Sequence, residues 1–209
     1  MSARELLHRY IDECPLVAIV RGIKPDEAEA IGEAVHEGGI RIIEVPLNSP
    51  EPMKSIERLA KSLGDSVLIG AGTVLGPEQV RRVKDSGGRI IVSPDTNAKV
   101  IAATAEAGLI SSPGYFTPSE GFAAIRAGAT ALKLFPAEAA SPPVLKAHLA
   151  VLPSDIPILI VGGIRPDTMQ QWLDAGASGF GLGSGLYRPG QSRAETLEKT
   201  RAYVSGLKA

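Results

Sequence analysis

Residues 118–136 read PSEGFAAIRAGATALKLFP. Pro118 and Glu120 suit the first turn of a helix, where proline's missing N–H costs nothing and a carboxylate meets the positive end of the dipole. Gly128 is a stop signal. The chain then runs into a short apolar strand, residues 130–135, with one lysine, Lys133, in its middle. The same phrase returns along the chain. Pro25, Asp26 and Glu27 open a helix that Gly38 and Gly39 close before a strand at 40–45. Pro77 and Glu78 open another, closed by Gly87 and Gly88 before 89–92. Pro166 and Asp167 open a third, closed by Gly176 before 178–182. Between them lie helices from Pro50 to about Ser62, from about Asn97 to Ala107 and from about Pro143 to Val151, leading to strands at 67–70, 109–111 and 158–161.

The first strand, residues 16–20, follows a helix over about 3–13 with Leu6, Leu7, Tyr10 and Ile11 on one face. A last helix covers about 193–206. Eight strands therefore alternate with eight helices, behind an extra helix at the N-terminus. The strands are apolar on both faces, as in a parallel sheet covered by helices. The pattern predicts an α/β fold, a (β/α)8 TIM barrel, as a single domain over residues 1–209. A doubly wound open sheet is the alternative. It normally carries a glycine-rich phosphate loop after the first strand, and Val20-Arg21-Gly22-Ile23 is not one.

Composition narrows the partners. The 209 residues carry a formal net charge of -1 with no basic block, which argues against nucleic acid or a membrane surface. The lone cysteine, Cys14, permits no intramolecular disulfide and fits a reducing, cytoplasmic setting. The N-terminus is charged and helix-patterned, unlike a signal peptide. His8, His36 and His148 all fall on helices, so an imidazole metal centre lacks ligands.

In such a barrel, chemistry sits at the C-terminal ends of the strands. Those ends offer Arg21, Glu44 with Asn48, Thr73 after Gly70-Ala71-Gly72, Pro94, Ser112, Lys133 with Phe135, Gly162 with Gly163, and Gly183 with Ser184. Alternation turns Ile43 and Val45 toward the helices and Glu44 inward. The same rule turns Leu132 and Leu134 outward and Lys133 and Phe135 inward. An enclosed lysine either snorkels to water or pairs with a carboxylate, or it loses its proton near neutrality and becomes a nucleophile. Gly162-Gly163 and Gly183-Ser184 follow the seventh and eighth strands, where barrels often bind phosphate on backbone N–H groups; each alone would usually be an ordinary turn, and it is the pair that points to phosphate. The whole set suits imine chemistry on a phosphorylated keto acid. Lys133 would attack the ketone, Glu44 would move protons directly or through a water, and Arg21 and Thr73 would hold a carboxylate. Two rivals share the phosphate loops: a barrel isomerase or epimerase, and a non-catalytic sugar-phosphate binder. Neither gives Lys133 a task.

Several of these segments also resemble a known family. Residues 17–22 (VAIVRG), 44–50 (EVPLNSP), 70–75 (GAGTVL), 132–138 (LKLFPAE), 161–164 (VGGI) and Gly183-Ser184 are similar, in order, to the KDPG/KHG aldolases. The resemblance covers nearly the whole chain. It implies a class I aldolase needing neither metal nor other cofactor, a barrel that assembles as a homotrimer, and a phosphorylated 2-keto-3-deoxy sugar acid as substrate. It implies Lys133 as the Schiff-base residue, Glu44 as acid/base, and Arg21 and Thr73 on the pyruvate side. It adds Pro94 and Phe135 as lining, and Gly162, Gly163, Gly183 and Ser184 as the phosphate cradle. Asn48 and Val161 stand where gluconate-type members usually carry arginine and threonine. With residues 185–192 (GLYRPGQS), they resemble the galactonate branch, which cleaves 2-dehydro-3-deoxy-6-phosphogalactonate to pyruvate and glyceraldehyde 3-phosphate. An apolar valine in place of threonine near a substrate hydroxyl is a sensible discriminator. Residues 136–139 (PAEA) resemble the gluconate type instead, which keeps the KDPG/KHG substrates as the alternative.

Overall fold

The computed structural model describes residues 1–207. Lys208, which the sequence places on a helix or loop pattern, lies outside them. The strands are β1 (Leu16–Ile19), β2 (Ile42–Pro46), β3 (Leu68–Gly72), β4 (Ile90–Val92), β5 (Ile110–Ser112), β6 (Gly114–Tyr115), β7 (Leu132–Leu134), β8 (Ile158–Val161) and β9 (Gly179–Leu182). They form one nine-stranded sheet in the order β5-β4-β3-β2-β1-β9-β8-β7-β6. Every pairing is parallel.

Eight strands were expected, and the ninth has a local cause. Pro113 has no N–H to give to a ladder. It divides one stave into β5, which pairs with β4, and β6, which pairs with β7. The backbone carries the ladder across the break. Ser111 accepts hydrogen bonds from the N–H groups of Thr130 and Ala131, each at 3.0 Å, and Lys133 N–H donates to the Pro113 carbonyl at 2.9 Å. The two ends of the sheet are thus consecutive in the chain, and the barrel closes through Pro113.

The helices are α1 (Ala3–Glu13), α2 (Pro25–Glu37), α3 (Pro52–Leu63), α4 (Pro77–Asp85), α5 (Ala98–Glu106), α6 (Pro118–Arg126), α7 (Pro142–Leu149), α8 (Met169–Leu173) and α9 (Arg193–Gly206). Proline opens most of them, as the phrase predicts. α3 begins at Pro52 rather than Pro50, because Glu51 takes a left-handed φ of 40° and makes the turn into it. Pro166 opens a 3₁₀ turn, Pro166–Thr168, ahead of the five-residue α8.

Alternation along the strands sorts the side chains into two packed regions. Ala18, Ile43, Val45, Ile69, Ala71, Leu132, Leu134, Ile160, Phe180 and Leu182 face outward and pack with the inner faces of the helices. Val17, Ile42, Leu68, Ile90, Ile110, Ala131 and Leu159 point into the barrel, where Leu6, Leu7, Tyr10 and Ile11 of α1 join them. α1 therefore stoppers the N-terminal end. It is held by a Ser2–Glu5 capping box and by Tyr10 Oη, which donates to the Asp65 carbonyl at 2.7 Å. Cys14 is buried at the end of α1, and Trp172 packs into the outer shell. Among the described residues no helix plugs the far end of the barrel, where a cleft opens instead.

Candidate active site

One step above the apolar floor, the inward positions change character. Glu44 continues the inward row of Ile42, and Lys133 continues that of Ala131. Both are buried, at 2% and 7% exposure. Glycine supplies the room. The register places Gly70 beside Glu44 and Gly72 beside Pro46. A Cβ at Gly72 would lie 1.3 Å from Glu44 Oε2, so the carboxylate occupies the space that a side chain there would take.

Burial dominates the electrostatics of both groups. It pushes the Glu44 carboxyl above its ordinary range, with Lys133 and Arg21 pulling it back. It pulls the Lys133 ammonium below its ordinary range, opposed by Glu44 and assisted by Arg21. Both shifts favour the uncharged forms. Among the described residues Glu44 Oε2 has no hydrogen-bond partner. Lys133 Nζ instead lies 4.7 Å from the centroid of the Phe135 ring, a cation–π distance when the amine is protonated. An amine enclosed in this way can add to a carbonyl.

Above the pair opens a cleft of about 780 Å³, within the usual range for a small-molecule site. Arg21, Thr73, Pro94, Lys133, Phe135, Val161, Gly162, Gly163, Gly183 and Ser184 all line it. Glu44 sits beneath, in a small cavity that also touches Lys133 and Val161. The structure thus brings together Arg21, Thr73, Pro94, Lys133, Phe135, Val161 and the two glycine loops, with Glu44 and Ser112 in the cavity below; Asn48 lines neither. Arg21 is held by Asn48, whose Oδ1 accepts from its Nη1 at 2.6 Å, and the next residue, Gly22, donates to Ser49 Oγ at 2.9 Å. An arginine at position 48 would set two guanidinium groups against each other. Thr73 has a φ of 55°, a left-handed conformation rare for a β-branched residue.

Gly162 and Gly163 also require positive φ, at 118° and 63°. Their neighbour is Glu138, whose Oε2 would lie 2.0 Å from a Cβ on Gly162. The loop after β8 is fastened from α9, where Tyr203 Oη donates to the Ile164 carbonyl at 2.9 Å. Arg188 Nε donates to the Ser184 carbonyl at 3.1 Å.

Some lining residues carry no role in the sequence reading. Glu138, Arg165, Arg188 and Tyr187 all face the cleft. Glu138 and Arg188 lie inside quoted motifs, but the 3₁₀ turn Ala137–Ala139 and the loop after β9 that aim them have no periodicity to read. Ile19 and Ser112 were reachable by alternation on β1 and β5. Among the described residues no group of three or more His, Cys, Asp or Glu could hold a metal ion.

A parallel barrel with a buried lysine at a strand end, a carboxyl beside it and glycine loops across the mouth is the arrangement that an aldolase of the imine-forming class requires. The family model described as KDPG and KHG aldolase matches residues 7–202. The chain belongs to this family and is an aldolase, a carbon–carbon lyase. It is 47% identical over 194 residues to the 2-dehydro-3-deoxy-6-phosphogalactonate aldolase of Escherichia coli strain K12, covering 93% of this chain and 95% of that protein. A solved structure described as native KDPGal superposes with a TM-score of 0.92 at 47% identity, covering 94% of this chain and 95% of that one. A cube-shaped protein cage, designed by fusing symmetric oligomeric domains, contains a similar barrel. There the TM-score is 0.91 at 47% identity, over 93% of this chain and 72% of that one.

Proposed function

We propose that the protein cleaves 2-dehydro-3-deoxy-6-phosphogalactonate to pyruvate and glyceraldehyde 3-phosphate through a Schiff base on Lys133. The observation that carries the mechanism is the buried amine of Lys133 opening onto the cleft beside Glu44, with burial lowering its pKa. Its nitrogen adds to the C2 ketone, and loss of water gives the iminium. The C3–C4 bond then breaks. Its electron pair flows toward the iminium nitrogen to form an enamine, and the C4 hydroxyl proton passes to Glu44, directly or through a water. The aldehyde departs. The enamine takes a proton at C3, and hydrolysis of the iminium frees pyruvate and Lys133.

Arg21 and Thr73 hold the carboxylate of the pyruvate half, which fixes the ketone near Lys133. Pro94, Phe135 and Val161 wall the site. The N–H groups of Gly162, Gly163, Gly183 and Ser184 receive the phosphate. Asn48 and Val161 favour the galactonate epimer, and the 47% identity to a galactonate-type relative supports that choice. Glu138 in its PAEA run favours the gluconate-type KDPG/KHG substrates, which remain the second reading. By the same family likeness the enzyme works without a cofactor, as a homotrimer of single-domain barrels, in the cytoplasm. The oligomeric setting of the similar barrel in the designed cage supports assembly. The lone cysteine supports the location.

The test is turnover on the two 6-phosphate epimers, with borohydride added in parallel and the adduct mapped by peptide mass. The expected result is faster pyruvate release from the galactonate epimer and a reduced adduct on Lys133. Preference for the gluconate epimer overturns the substrate. An adduct on another lysine, or none, overturns the mechanism.

A further inference from the structure

Three buried side-chain oxygens lack a hydrogen-bond partner among the described residues: Glu44 Oε2, Ser112 Oγ and Ser55 Oγ. Ser55 lies on α3. Glu44 and Ser112 line one small space inside the barrel, together with Lys133 and the apolar walls of Val17, Val92 and Leu159. Ser112 is fully buried and Glu44 is 2% exposed. Leaving a buried polar atom unsatisfied is costly, so two on residues lining one cavity are not there by indifference. The cavity leaves about 10 Å³ for the centre of a water molecule, the scale of a one-water site. A buried water also needs two to four polar partners, and Glu44, Ser112 and Lys133 are the polar groups around this one.

We propose that a single water occupies this cavity between Glu44 Oε2, Ser112 Oγ and Lys133 Nζ, and that Ser112 is thereby a positioning residue for Glu44. The inference rests on the reading of Glu44 as the acid/base. The strand geometry explains why serine stands there. Ser112 ends β5 on the inward row begun by Ile110, opposite Val92, at the level where the apolar floor gives way to the site. With the water in place, one carboxyl oxygen is anchored from behind. The carboxyl plane is then fixed, and Oε1 is left for the reacting proton. The charged groups that face Glu44 are Lys133 and Arg21. Ser112 adds no charge, so its effect travels through orientation and hydration.

The experiment compares Ser112→Ala and Ser112→Thr with the wild-type enzyme. It follows deuterium exchange into the pyruvate methyl group by NMR, the pH profile of that exchange, and borohydride trapping on Lys133. Ser112→Ala should slow exchange about tenfold and displace the carboxyl limb of the pH profile, with trapping intact; Ser112→Thr, which keeps the hydroxyl, should recover most of the rate. Unchanged exchange and an unchanged profile in Ser112→Ala overturn the proposal. So does a parallel fall of exchange and trapping, which marks a merely structural defect. A crystal structure of the wild-type enzyme gives the answer without any variant: a water bonded to both oxygens supports the site, and a dry cavity overturns it. Glu44→Gln separates the two readings. Wild-type exchange in that variant removes the acid/base role itself, whereas lost exchange there beside a silent Ser112→Ala removes only the positioning.

Discussion

Lys133 and Glu44 are each driven toward neutrality by burial while each tends to hold the other charged. The two influences separate in Glu44→Gln. The carboxylate is the one influence that raises the Lys133 pKa, against burial and Arg21, which both lower it. Its removal therefore lowers that pKa further. The nucleophile is the neutral amine, whose fraction grows as pH rises through the pKa, so the rising limb of imine formation should move to lower pH. Borohydride trapping with pyruvate, measured across pH, reads that limb directly. Turnover should fall about 10²–10⁴-fold in the same variant, because the proton transfers lose their carrier. A limb that stays in place or moves to higher pH would show that Glu44 does not set the state of Lys133.

The loops after β8 and β9 divide the glycines into two kinds. Gly162 needs its left-handed φ of 118°, and a Cβ there would strike Glu138 and the Ala137 backbone. Gly183 has open space around the position of a Cβ. Gly162→Ala should therefore destabilise the fold by about 1–3 kcal/mol and raise KM for the phosphorylated substrate. Gly183→Ala should leave stability within about 0.5 kcal/mol of wild type and act on that KM alone. Thermal unfolding and kinetics on the phosphorylated substrate, with pyruvate trapping as control, distinguish them. Equal effects on KM and trapping would detach these loops from the phosphate. The glycines were legible in the sequence because proline and glycine punctuate each βα unit, and the inward lysine and glutamate because alternation has a period of two. The break at Pro113 was not, since the proline sits at a strand end where a turn was already expected. Nor was the space under Gly72, or the approach of Glu138 to Gly162, because both depend on register between strands and on a turn with no repeat. The Asn48 contact to Arg21 joins two loops that only the closed barrel brings together.

Along its axis the molecule separates stability from chemistry. The floor is apolar and stoppered by α1, and the outer shell is continuous with the helices. The upper interior instead holds Glu44, Lys133 and Ser112, buried groups that weaken the fold when their neighbours do not satisfy them. Substitutions at the two ends should therefore have opposite signatures. Leu7 is fully buried against the floor, and Leu7→Ala should cost about 2–5 kcal/mol through lost burial and the cavity it leaves. The site lies on the other side of that layer, so turnover per folded molecule should be preserved. Lys133→Met removes a buried ammonium at similar volume. It should raise stability at neutral pH while abolishing both the adduct and turnover. The sign follows from linkage. With its folded-state pKa lowered, Lys133 binds fewer protons folded than unfolded, so it costs stability below that pKa and the cost fades as pH rises through it. The stability gain of Lys133→Met should accordingly be larger at lower pH and shrink toward high pH. Urea unfolding of both variants across pH, beside turnover of the folded fraction, measures the division. A Lys133→Met variant less stable than wild type at every pH would mean that the lysine contributes to the fold as well as to the chemistry.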